Sequence, residues 1–111
     1  MFSPSDKLTT LTSPSGNAYV TIANLGATVV DYTVNGHRVV LGFPKVSDYL
    51  QPTDINPYAG ATIGRVSNRI QAAKLSLPLA GKQSYDLDLN DTYAKKGASC
   101  LHGGADGFHH K

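Results

Sequence analysis

The chain alternates apolar and polar side chains over short stretches and rarely holds a helical spacing. Lys7 to Thr12 sets Leu8 and Thr10 against Thr9 and Leu11, the period of two expected of a strand. Pro14-Ser15-Gly16-Asn17 reads as a turn. Ala18 to Asn24 resumes the alternation, with Ala18, Val20 and Ile22 against Tyr19, Thr21 and Ala23. Apolar residues on both sides suit a strand with some burial on each face. Eleven glycines and six prolines interrupt nearly every window long enough for a helix.

The clearest unit runs from Ala27 to Leu41. Asn35-Gly36 is the preferred pair for a two-residue hairpin turn, because both central residues need positive φ. Closing there pairs Val34 with His37, Tyr32 with Val39 and Val30 with Leu41, and these six share one mostly apolar face. The opposite face sets Thr33 beside Arg38 and Asp31 beside Val40, so Asp31 and Arg38 sit diagonally. Turn and pattern agree, and together they set the register.

Gly42 to Pro57 is irregular, with three prolines. A loop of that length without regular structure is usually functional or tied down by neighbours. In Tyr58 to Ile70, Gly60 and Gly64 predict bends or close backbone approach. A second hairpin is expected from Lys74 to Leu89, turning at Ala80-Gly81, with Pro78 confining its first strand to an edge or a bulge. Asp91 to Ser99 reads as a polar connection into a glycine-rich end. The sum is an all-β chain of short strands, which means a sandwich or barrel.

The chain has 111 residues, enough for one ordinary domain with a modest core. Charged residues are 16% and the formal net charge is +2. That charge is too low for a disordered chain. The ten basic residues are scattered, which argues against a nucleic-acid surface. A single cysteine, Cys100, cannot form an internal disulfide. The N-terminus lacks the basic start and apolar run of a secretory signal, and no apolar run reaches membrane-spanning length. A soluble cytoplasmic protein without a membrane partner is the expectation.

Few residues suggest chemistry. Asn68-Arg69 joins an amide, which both donates and accepts, to a rigid fork of donors, a pairing that suits a hydroxyl-rich ligand. It also fits a surface arginine beside a turn asparagine. His102 lies between Leu101 and two glycines, so a tight turn aims its imidazole; a plain loop histidine fits equally. Cys100, His102, His109 and His110 lack the usual zinc spacings, and His109 and His110 read as solvated. Tyr32, Tyr49, Tyr58 and Tyr85 can stack on a sugar, though tyrosines on strands are more often half-buried. Gly97-Ala98-Ser99-Cys100 looks like a nucleophile motif but lacks the strand-to-helix elbow.

Taken in order, Gly26-Ala27-Thr28-Val29-Val30, Val39-Val40-Leu41-Gly42-Phe43, Tyr58 to Ile70 with its Gly64-Arg65-Val66-Ser67-Asn68-Arg69-Ile70 block, Tyr85 to Asn90, and Leu101-His102-Gly103-Gly104 resemble the aldose 1-epimerases, or galactose mutarotases. The resemblance spans nearly the whole chain but only the N-terminal part of the family domain. It implies that residues 1–111 are part of an antiparallel β-sandwich of the galactose mutarotase-like type, incomplete at its C-terminal end. It further implies interconversion of the α and β anomers of a free aldohexose, such as galactose or glucose, with no metal or organic cofactor. Asn68, Arg69 and His102 match the family's sugar-binding positions.

The family's catalytic glutamate and second histidine match nothing here, so no catalytic residue is assigned and the chain alone is expected to be inactive. A non-catalytic carbohydrate-binding or regulatory fragment is the alternative. Two departures stand out. Ser99 takes a place where the family commonly has asparagine, and Asp91 to Gly97 is longer than usual. Phe108-His109-His110-Lys111 resembles the start of a further strand.

Overall fold

A computed structural model describes residues 6–51, 55–78, 81, 84–91 and 97–111. The chain forms two compact units, Met1–Thr62 with His109–Lys111, and Ile63–Phe108. All strand pairings among the described residues are antiparallel.

In the first unit, β1 (Leu8–Thr12), β2 (Ala18–Ala23), β3 (Thr28–Val34) and β4 (His37–Arg38) form one sheet in sequence order. The Pro14–Asn17 turn and the Asn35-Gly36 turn join neighbours, as the alternation predicts. Val34 pairs with His37 and Thr33 with Arg38. The diagonal ion pair is present, with Arg38 Nε 3.1 Å from Asp31 Oδ1.

The faces differ from the sequence reading. Thr21 pairs with Asp31 but Ile22 pairs with Val29, so Val30 is an extra residue in β3. This bulge turns Val30 onto the side opposite Tyr32 and Val34. Val30 is fully buried, in a core with Ala23 and Tyr49 against which Leu8, Leu25, Phe43 and Val46 pack. Tyr32, Val39 and Leu41, expected to share a face with Val30, are instead 40%, 54% and 87% exposed.

The covered face carries threonines, which disguise it in the sequence. Thr21, Thr28 and Thr33 are all buried, and each hydroxyl has a partner, as buried polar groups require. Thr21 bonds Thr10 at 3.0 Å, Thr28 donates to the Leu25 carbonyl at 2.7 Å, and Thr33 donates to Asp31 at 3.5 Å.

The irregular stretch after β4 is tied down by Tyr49. It sits on a 3-10 turn, Val46–Leu50, and is 8% exposed. Its ring meets Phe43 edge-on at 5.2 Å, and its hydroxyl accepts the Phe43 N–H at 3.0 Å. Tyr49 is thus a core residue. The terminal Phe108–His110 segment is a 3-10 turn and not a strand. His109, expected to be solvated, is half-buried and meets Tyr58 edge-on at 4.8 Å.

In the second unit, β5 (Arg69–Gln71) pairs with β8 (Ser99–Leu101), and β6 (Lys74–Leu75) pairs with β7 (Tyr85–Asp86). The Lys74–Leu89 hairpin is present in register Lys74 to Asp86 and Leu75 to Tyr85. Ala80, half of the expected turn, lies outside the described residues, as does most of the Asp91–Gly97 segment.

The sequence did not announce the turn between β5 and β6. Ala72 and Ala73 both hold positive φ, 55° and 53°, where a Cβ costs about 1–2 kcal/mol. Ala73 is buried and Ala72 exposed. Ala72→Gly is expected to raise stability by about 0.5–1 kcal/mol, after the extra freedom glycine gives the unfolded chain. A higher urea midpoint at unchanged slope is the readout.

Candidate functional site

The second unit brings Asn68, Arg69 and His102 together. Arg69 pairs with Leu101 in the β5–β8 ladder, and Ile70 pairs with Cys100. One step beyond, the His102 N–H donates to the Asn68 carbonyl at 3.4 Å. Asn68 and Arg69 are exposed and His102 half-buried. The Arg69 guanidinium donates from Nη1 to Asn68 Oδ1 at 3.5 Å, so amide and fork present one polar surface.

The loop carrying His102 is shaped by backbone contact. His102 has φ 55° and Gly103 has φ 93°. A Cβ on Gly103 would stand 2.6 Å from the Arg65 nitrogen and overlap the Gly64 carbonyl. That carbonyl accepts the Phe108 N–H at 3.0 Å. A Cβ on Gly64 would strike the Phe108 ring, and the Arg65 guanidinium lies over the same ring, 5.5 Å from its centroid. The two glycine-bearing segments therefore pack backbone to backbone, a close approach that side chains would prevent.

Asn90, the last residue of the Tyr85–Asn90 block, and Asp91, expected in a polar connection, support this corner. Asn90 accepts the Leu101 N–H at 2.7 Å and donates to the Leu101 carbonyl at 2.9 Å, a clamp one residue before His102. Asp91, 5% exposed, receives Arg69 Nε in an ion pair. The parity of Tyr85 and Leu87 does not carry to Asp91, because Leu89 between them is 57% exposed.

Ser99 and Cys100, the would-be nucleophiles, are 4% and 0% exposed. Burial pushes the Cys100 thiol up from its ordinary pKa, opposed by a hydrogen bond from the Gly103 backbone and helped by the Asp88 carboxylate. Only the thiolate attacks an electrophile. Iodoacetamide at pH 8 should therefore modify the folded chain at least about tenfold more slowly than the denatured chain. Because the folded thiol ionises later than the unfolded one, its stabilising share is present below the ordinary thiol pKa. It is lost as pH rises from there through the folded value. Among the described residues, no three of His, Cys, Asp and Glu cluster as a metal site, and no helix is long and apolar enough to cross a membrane.

The aldose 1-epimerase family model matches residues 7–111. The chain belongs to the aldose 1-epimerase family. It is 39% identical over 103 residues to the bifunctional protein GAL10 of Pachysolen tannophilus, covering 93% of this chain and 14% of that protein. It is 40% identical over 94 residues to the galactose mutarotase of Sus scrofa, covering 80% of this chain and 24% of the relative. The chain thus spans a quarter or less of these relatives.

Among solved structures, the GalM/aldose epimerase homologue from C. elegans superposes with a TM-score of 0.74 at 26% identity, over 96% of this chain and 31% of that one. Galactose 1-epimerase from Lactobacillus acidophilus shares the fold, with a TM-score of 0.65 at 22% identity. The fold of this aldose 1-epimerase family chain is accordingly all-β, an antiparallel sandwich of the galactose mutarotase-like type, present here in part.

Proposed function

We propose that Asn68, Arg69 and His102 bind hydroxyl groups of a free aldohexose, galactose or glucose, in the interconversion of its α and β anomers. The observation that carries the reading is the β5–β8 pairing, which sets Arg69 opposite Leu101 and joins the Asn68 carbonyl to the His102 N–H. An amide, a guanidinium and an imidazole carried on paired strand ends supply the donors and acceptors that a hydroxyl-rich ligand needs. No cofactor is needed for this role.

Mutarotation needs a base to take the anomeric hydroxyl proton and an acid to protonate the ring oxygen, so that the ring opens and recloses. Asn68 and Arg69 can do neither at neutral pH, and His102 is given the holding role. In this reading the 111 residues hold the sugar, and proton transfer belongs to other parts of the family domain. Polarimetry on fresh α-D-galactose tests it. The chain alone should leave the rate at the buffer value, and joining it to the remaining length of the family domain should restore acceleration. Acceleration by the 111 residues alone overturns the division of labour.

A further inference from the structure

The Arg69 guanidinium is held at its Nε. Its Nε meets the Asp91 carboxylate, and Asp91 is 5% exposed while the Arg69 side chain is 49% exposed. Asp91 is itself fixed by backbone bonds to Ser99, donating at 3.1 Å and accepting at 2.9 Å. Asn90, the residue before it, clamps Leu101. A second carboxylate, Asp88, accepts the Ala105 N–H at 3.2 Å beside the His102 loop.

Resting on the hydroxyl-binding reading, we infer that Asp91 is a positioning residue that makes this corner selective for a neutral sugar over an anionic one. Two consequences of the ion pair carry this. An arginine that receives a phosphate or carboxylate offers a paired edge and an uncompensated charge. Here Nε is engaged, and the charge is met by a buried carboxylate. Nη1 also reaches Asn68 Oδ1 at 3.5 Å, and the remaining hydrogens of the terminal nitrogens are donors suited to hydroxyls, which need direction but no net charge. An anionic sugar at the same place meets the Asp91 carboxylate beside the guanidinium, and like charges at close range suppress the wrong partner.

The test titrates the full chain with D-galactose and D-galactose 6-phosphate, followed by backbone amide NMR shifts. The native chain should bind galactose in preference to the phosphate. Asp91→Asn keeps an acceptor for Nε but removes the charge, and should move the preference toward the phosphate by about tenfold. Asp91→Glu keeps the charge but displaces the guanidinium; it should weaken galactose several-fold and leave the preference at the native value. A merely structural role would weaken both ligands together without moving their ratio.

An unchanged ratio in Asp91→Asn, or a native chain that binds the phosphate as tightly as galactose, overturns the inference. Should Asp91→Asn fail to fold, the native ratio and the Asp91→Glu ratio decide, and a shifted ratio in the glutamate variant overturns it. A native chain that ignores galactose, or an Arg69→Ala chain that binds it undiminished, refutes the hydroxyl-binding reading instead.

Discussion

Arg69→Ala is expected to lose galactose binding and part of the fold's stability at once. A hydrogen bond from a charged donor is worth about 1.5–3 kcal/mol, so affinity should fall at least about tenfold for each such bond lost. The same change strips Asp91, which is 5% exposed, of its guanidinium. Breaking a fully buried pair costs about 3–5 kcal/mol. Arg69 is half in water, so about 1–2 kcal/mol is the expected loss here. Arg69→Lys separates the two effects. It restores the charge beside Asp91 and most of the stability, but a single ammonium cannot reproduce the fork, and galactose binding should stay weak. Calorimetric titration with parallel urea melts reads both. Native affinity in Arg69→Ala would remove this residue from the site.

Gly103→Ala is expected to cost far more than a single methyl usually does. Alanine at φ 93° costs about 1–2 kcal/mol in backbone conformation. The new Cβ also meets the Gly64 carbonyl and the Arg65 nitrogen, which are main-chain atoms without rotamers to yield. Overpacking of that kind adds about 1–3 kcal/mol. The loop must then shift, taking His102 from its bond to Asn68, so galactose binding should fall together with stability. Gly16→Ala is the control. Gly16 has φ +71° but nothing within 4 Å of a new Cβ, so only the conformational cost applies. A Gly103 variant that melts like the Gly16 variant would show that the close approach is not needed.

Local chemistry made much of this legible in the sequence. Asn35-Gly36 set the hairpin register, and the Asp31–Arg38 pair followed from it. The Gly64–Ile70 block and the Leu101–Gly104 loop pointed to the family and to residues that the β5–β8 ladder makes neighbours.

What stayed hidden depends on partners distant in sequence. Nothing around Val30 marks a bulge, because valine is as suited to a regular ladder as to an extra position. The buried face of the first sheet looked polar because its threonines satisfy one another and nearby carbonyls. Alanine gave no sign of positive φ at Ala72 and Ala73. Asp91 read as loop because its burial depends on an arginine 22 positions earlier.

The extra residue in β3 also bears on how this strand tolerates loss of length. Excising Val30 leaves Thr21 opposite Asp31 and Ile22 opposite Val29, so each flanking side chain keeps its side of the sheet. Only one fully enclosed valine and the carbonyl that receives Arg38 Nη2 would vanish. Deleting any neighbour still paired across the ladder would instead invert everything beyond it. A one-residue shortening of β3 is therefore most easily accommodated at this position of the strand.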